Sequence, residues 1–104
     1  MVANFEALRN EIKLYVDEVR LELPIDKAIL FGSYAKGNAN ESSDVDIAFF
    51  IRDFGGKTRF EIGLTLLKLT HDYNAYIEPL VFQTSEIERG NPFVHEILRT
   101  GHEI

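Results

Sequence analysis

Apolar residues recur every three or four positions near the start of the chain, with Glu, Arg, Lys and Asp between them. They are Phe5, Leu8, Ile12, Val16 and Val19. Positions three or four apart share one face of a helix, so this spacing predicts an amphipathic helix over residues 4–22. Pro24 ends the helix, because proline lacks the backbone N–H that the next turn needs.

Three later segments have the short apolar character of buried strands. Residues 28–31 are Ala-Ile-Leu-Phe and stop at Gly32. The segment from Asp44 to Ile51 is polar on one face at its start and apolar on both faces afterwards. Residues 76–82 form the third strand, and Pro79 within it places that strand at a sheet edge or at a bulge, since proline cannot donate a ladder hydrogen bond.

Helical patterns fill much of the remaining chain. Residues 58–73 predict a buried helix, Thr84 or Ser85 is placed to cap a short acidic helix, and Pro92 opens a last one. The polar residues from Lys36 to Ser43 predict a loop. The order helix, strand, strand, helix, strand, helix predicts an α+β fold in which helices cover a small mixed sheet, mainly on one face. We expect one domain over residues 1–104.

Composition narrows the classes of function. The chain has no cysteine, which excludes disulfides, thiolate zinc sites and thiol catalysis. Its net charge is -6, and Lys and Arg are scattered, so we expect no nonspecific grip on a nucleic-acid backbone. The pattern of a signal peptide and any long apolar run are missing, so we expect no membrane association and a cytoplasmic location.

Candidate chemistry is concentrated in the stretch from Gly32 to Asp46. Asp44 and Asp46 alternate along a strand and therefore point the same way, and two such carboxylates repel each other unless a cation bridges them. Their oxygens suit Mg²⁺ or Mn²⁺, which takes its remaining ligands from water and substrate phosphates. Gly32 and Ser33, in a turn after a strand, offer backbone N–H groups and a hydroxyl to a phosphate.

A phosphate cradle beside a pair of metal-binding acids fits phosphoryl or nucleotidyl transfer. A site with two metal ions needs a third carboxylate to hold one ion and to help accept the proton of the attacking hydroxyl. Glu78, in the third predicted strand, is the candidate, provided that this strand pairs beside the strand of Asp44.

These residues resemble a known signature. Gly32-Ser33, the following Gly37, and Ser43-Asp44-Val45-Asp46 look like the motif of the polymerase β-type nucleotidyltransferase superfamily, which is Gly-Ser, a loop, then Asp-x-Asp. The sequence Gly-Ser-Tyr-Ala-Lys-Gly at residues 32–37 is most similar to that of the minimal nucleotidyltransferases. These proteins are often antitoxin partners of HEPN-domain ribonuclease toxins. Lys36 and Glu78 stand where many relatives carry arginine and aspartate.

The resemblance implies a polymerase β-like fold, two Mg²⁺ ions, ATP as donor and transfer of AMP to a hydroxyl. In antitoxin members that hydroxyl belongs to a tyrosine of the toxin, which would make a HEPN-domain protein the partner. It implies that Asp44, Asp46 and Glu78 are the catalytic and metal-binding residues. The nucleotide-binding residues that it implies are Gly32, Ser33, Lys36 and Ser43.

Other interpretations stay open at this point. The chain could neutralise its partner by forming a complex without catalysis, or it could transfer the nucleotide to a small molecule. Tyr34 flanks the nucleotide or packs against the sheet. A solubilising surface is the expected role of Arg52, Lys57 and Arg59, and a structural or surface role is expected for the three histidines, His71, His95 and His102.

Overall fold

The computed structural model describes residues 5–39 and 43–104. In chain order its elements are α1 (Phe5–Glu22), β1 (Ile25–Phe31), α2 (Ser33–Lys36), β2 (Val45–Ile51), α3 (Arg59–Leu69), β3 (Ile77–Gln83), α4 (Pro92–Thr100) and β4 (His102–Glu103). Two 3₁₀ turns, Thr70–Asp72 and Thr84–Ile87, follow α3 and β3. Within these ranges, no helix combines the length and apolarity that crossing a membrane requires.

The strands form a mixed sheet in the order β3-β2-β1-β4. β1 is antiparallel to β2 and to β4, whereas β2 and β3 are parallel. β2 is central, which explains why its sequence is apolar on both faces beyond its first residues. β3 lies at one edge, so Pro79 sits where the sequence predicted, in a strand with a neighbour on one side only among the described residues.

The hydrophobic core lies on both faces of the sheet. Alternate residues of β2 point to opposite faces, so Ile47 and Phe49 pack beneath α1 and α3, while Ala48 and Phe50 face α4. Two longer helices thus cover one face and a shorter one covers the other, which confirms the predicted α+β architecture. The hydroxyl of Tyr15, on the buried face of α1, donates to the backbone carbonyl of Leu66 in α3 at 2.9 Å.

The boundaries of the elements follow local hydrogen bonding. The predicted helix over 58–73 is shorter than expected, because Thr58 caps α3 and the chain tightens into a 3₁₀ turn after Leu69. β1 begins three residues earlier than predicted, at Ile25. β4 was not predicted at all. Asn40, within the predicted loop, lies outside the described residues.

The predicted cap of the short acidic helix was wrong. That segment is a 3₁₀ turn whose capping residue is Gln83, not Thr84 or Ser85. The carboxylate of Glu86 accepts from the backbone N–H of Gln83 at 2.7 Å. The Thr84 hydroxyl is committed elsewhere, since it donates to Asp26 at 2.6 Å.

Gly101 joins α4 to β4 in a space too small for a side chain. A methyl group there would lie 2.6 Å from the Ile97 carbonyl oxygen and 2.8 Å from that of Leu30, and would overlap a methyl of Ile29. We therefore expect Gly101→Ala to destabilise the protein by about 1–3 kcal/mol through overpacking. Urea denaturation measures this loss.

A glycine-to-alanine control is available inside α3. At Gly63 the nearest atom to an added methyl would be Val81 Cγ2, at an ordinary 3.9 Å. Gly63→Ala should stabilise the protein by about 0.5–1 kcal/mol, because alanine has the better helix propensity. A Gly101→Ala protein as stable as the wild type would contradict the packing argument.

Candidate functional site

Gly32 brings the end of β1 against the carboxylate of Asp46. Its backbone has φ 76° and ψ -150°, a conformation that side chains rarely allow. A Cβ at this position would overlap Asp46 Oδ2. Asp46 lies in β2 opposite Phe31, the last residue of β1. Two physical factors therefore favour glycine at position 32: the backbone conformation and the close approach of a carboxylate.

The parallel pairing of β2 with β3 sets Glu78 directly beside Asp46. The two residues are partners in the register, with Val45 paired to Ile77 one step earlier. Asp44 precedes β2 and is exposed, Asp46 is half-buried, and Glu78 is exposed. The structure thus brings together the three acids that the sequence singled out.

The close placement of these acids affects the pKa values of two of them. Burial, and secondarily the charge of Asp44, raises the pKa of the Asp46 carboxyl. Burial also raises the pKa of Glu78, followed by the charge of Asp46 and a hydrogen bond with Asp44. Asp46 and Glu78 are therefore ionised at neutral pH only at a cost in free energy, which a cation or a proton would relieve.

The carboxylate oxygens of these three acids suit a hard divalent cation, although in this structure the described side chains do not surround a single point. Carboxylate oxygens are the ligands that Mg²⁺ and Mn²⁺ prefer. Within residues 5–39 and 43–104, no three acidic, histidine or cysteine side chains form a ready-made metal cluster. Phosphate oxygens of a bound nucleotide would complete the ligand set.

The other predicted site residues lie on or near the turn at Gly32. Ser33 begins α2, and its carbonyl accepts from the N–H groups of Gly37 and Asn38. Lys36 ends α2 and is exposed. The pKa of Glu96 is lowered, mainly by Arg99 and to a smaller extent by the charge of Lys36. Ser43 is half-buried one residue before Asp44. Ser33, Lys36 and Ser43 therefore all lie in the segment that connects β1 to β2.

Two of the basic residues have structural partners away from the acids. Arg52 forms an ion pair with Asp26 at 2.6 Å, and Arg59 forms one with Glu86 at 2.9 Å while also donating to the Val81 carbonyl. Lys57 is exposed before α3. These positions agree with a surface role.

One contact near the site gave no signal in the sequence. His102, in β4, places Nε2 3.1 Å from the carbonyl oxygen of Ala35 in α2. β4 is two residues long and its contact crosses 67 positions, so no local pattern could have predicted it.

Comparison with models of protein families decides what kind of site this is. Residues 10–104 match the family described as polymerase beta, nucleotidyltransferase, a range that contains Gly32, Asp44, Asp46 and Glu78. The chain belongs to this nucleotidyltransferase family. The predicted resemblance to the superfamily is thereby confirmed, and its members use a nucleoside triphosphate.

Individual relatives agree with the family. The nucleotidyltransferase is 28% identical over 81 residues to a Methanocaldococcus jannaschii protein named "putative protein adenylyltransferase", covering 77% of this chain and 79% of the relative. A Sulfolobus solfataricus crystal structure described as a "putative nucleotidyltransferase" has a TM-score of 0.59 at 22% identity, covering 86% of this chain and 84% of the other.

A further solved structure has the same fold. It is a toxin-antitoxin crystallised with AMP-PNP, with a TM-score of 0.58 and 22% identity. The alignment covers 90% of this nucleotidyltransferase and 69% of that chain. At this level of identity, the two solved structures confirm the fold and nothing finer.

Proposed function

We propose that this nucleotidyltransferase is a minimal, metal-dependent protein adenylyltransferase that acts as an antitoxin. It transfers AMP from ATP to a tyrosine hydroxyl of a HEPN-type ribonuclease toxin and thereby silences it. The observation that carries the proposal is the register of β2 and β3, which sets Glu78 beside Asp46. Asp44 is two residues from Asp46, and Gly32 lies against the Asp46 carboxylate.

Each residue has a role in the proposed transfer. The turn at Gly32 and Ser33 holds the phosphates of ATP, with Ser43 and Lys36 nearby. Asp44, Asp46 and Glu78 would hold two Mg²⁺ ions, which supply positive charge to offset the charge that develops on the phosphates. The acceptor oxygen attacks the α-phosphorus, pyrophosphate leaves, and a carboxylate of the cluster takes the hydroxyl proton.

A protein acceptor is supported by the surface beside the acids. Apolar side chains on α3 and immediately before β3 are exposed: Phe60 (73%), Leu64 (44%), Leu67 (51%) and Tyr76 (70%). Leu67 and Tyr76 line the same opening as Asp44 and Glu78. A contiguous apolar stripe at this position suits a protein better than a polar small molecule. The name of the archaeal relative points to the same class of acceptor.

The proposal predicts AMP on the partner. A HEPN-domain protein encoded beside this chain, incubated with it, ATP and Mg²⁺, should gain AMP on a tyrosine, detected by peptide mass spectrometry. Chelation of the metal should abolish the modification, and so should phenylalanine in place of the labelled tyrosine. If the two proteins form a complex in saturating ATP and no AMP is transferred, the proposed transfer is wrong.

A second candidate function is neutralisation by stoichiometric binding. The exposed apolar stripe favours it, since a docking surface is sufficient for that role. Asp44→Asn, Asp46→Asn separates the two functions. Loss of toxin neutralisation in an intact complex supports catalysis, whereas full neutralisation by the variant supports binding alone.

A further inference from the structure

Tyr76 lies immediately before β3, next to the part of the sheet that carries the three acids. Val45 pairs with Ile77 and Asp46 with Glu78, and the N–H of Val45 donates to the Tyr76 carbonyl at 2.7 Å. Carried back by one position, this register sets Tyr76 beside Asp44, about one strand spacing of 4.8 Å away. Side chains alternate along a strand, so Tyr76 shares the side of Glu78.

The side chain of Tyr76 is accessible at this position. It is 70% exposed and lines an opening of about 310 Å³ together with Asp44 and Glu78. Its hydroxyl has no hydrogen-bond partner among residues 5–39 and 43–104. An accessible phenol therefore lies beside two of the acids that are proposed to hold the metal ions.

Two of the other tyrosines have hydroxyls that are engaged in the fold. Tyr15 donates to Leu66, and its burial raises its pKa. Tyr73 donates to the Glu18 carboxylate at 2.7 Å, and burial, followed by that hydrogen bond, raises its pKa to about 12. A phenol held in this way is a poor nucleophile, which leaves Tyr76 as the better candidate beside the acids.

We propose that Tyr76 is a self-adenylylation site, modified within the same chain; this rests on the proposed nucleotidyl transfer. The Tyr76 oxygen forms a bond to the α-phosphorus of ATP as the bond from that phosphorus to the bridging oxygen breaks. Pyrophosphate leaves with the electron pair, and the phenol proton passes to Glu78 and then to water. The product is AMP joined to Tyr76 by a phosphodiester. It occupies the opening through which a protein acceptor would reach the acids.

The purified protein tests this directly. After incubation with ATP and Mg²⁺, intact-mass and peptide analysis should show one AMP on Tyr76. The label should be lost in Tyr76→Phe and in Asp44→Asn, Asp46→Asn, and it should remain in Tyr34→Phe. When unlabelled wild type is incubated with the double asparagine variant, ATP and Mg²⁺, that variant should stay unlabelled. Label on it would overturn modification within one chain.

A second measurement does not depend on catalysis. Tyr76 in the free protein should react with tetranitromethane, and α,β-methylene ATP with Mg²⁺ should protect it, because that analogue binds without losing pyrophosphate. If calorimetry shows that ATP binds but Tyr76 is neither labelled nor protected, the inference fails and the proposed function stands. If ATP does not bind at all, both fail.

Discussion

Asp44→Asn, Asp46→Asn is expected to lower nucleotidyl transfer by about 10²- to 10³-fold or more, while the protein without nucleotide becomes no less stable than the wild type. Activity falls because the variant loses the oxygens that hold the metal-bound phosphates. Stability does not fall, because these acids repel each other in the native state. If the two aspartates had a purely structural role, their substitution would lower the stability of the protein.

The pH dependence of stability follows from the same repulsion. The pKa of Asp46 is raised in the native state, so the folded protein holds this proton more tightly than the unfolded chain does. Ionisation therefore costs stability as the pH rises through the interval between the ordinary aspartate pKa and the raised one, and the cost stays constant above it. The asparagine variant lacks this cost, so its advantage should appear as the pH rises from strongly acidic to neutral.

Thermal unfolding across pH, together with calorimetric titration of ATP and Mg²⁺, measures both effects. Asp72→Asn is a suitable control, because Asp72 is an exposed acid in the 3₁₀ turn after α3. The control should keep nucleotide binding and transfer. A double variant that transfers AMP at the wild-type rate would show that the two aspartates do not form the site.

Gly32→Ala is expected to remove most nucleotide binding and to cost more stability than Gly90→Ala. The backbone at Gly32 lies in a region that is nearly restricted to glycine, which costs about 1–3 kcal/mol for alanine. The new methyl group would also overlap Asp46 Oδ2. Relief of this overlap must displace the carboxylate or the turn, and either movement disrupts the candidate site.

Gly90→Ala separates backbone strain from the effect on Asp46. Gly90 has φ 77°, close to that of Gly32, and no atom lies within 4 Å of a methyl group added there. It should lose stability without losing ATP binding. Calorimetry and urea denaturation of the two variants make the comparison. Equal ATP affinity in Gly32→Ala and the wild type would contradict the role of this close approach.

The local elements could be predicted from the sequence because their causes are local. The spacing of Ile12, Val16 and Val19 determines one helix face, and Pro92 with Asn91 before it determines the start of α4. The doubly apolar segment after Asp46 identified the central strand. Gly32-Ser33 and Asp44-x-Asp46 lie close together in the chain, so their spacing alone indicated the chemistry of the family.

Pairing between distant segments could not be predicted in this way. The sequence made the place of Glu78 conditional on the third strand pairing beside the second, and the side chains of β3 alternate in the same way for any neighbour. In the structure β3 pairs in parallel with β2, and this pairing sets the register of Asp46 and Glu78. It also placed Tyr76 beside Asp44.

By itself, the sequence determined the three longer helices, the first three strands, the glycine turn and the aspartate pair, because each depends on neighbours within a few positions. Only the tertiary structure decided that Glu78 joins the aspartates, that His102 contacts Ala35, and that Gly32 must leave room for Asp46. These contacts depend on which strands lie side by side. Strand order follows from burying the whole apolar surface at once, and no single segment encodes it.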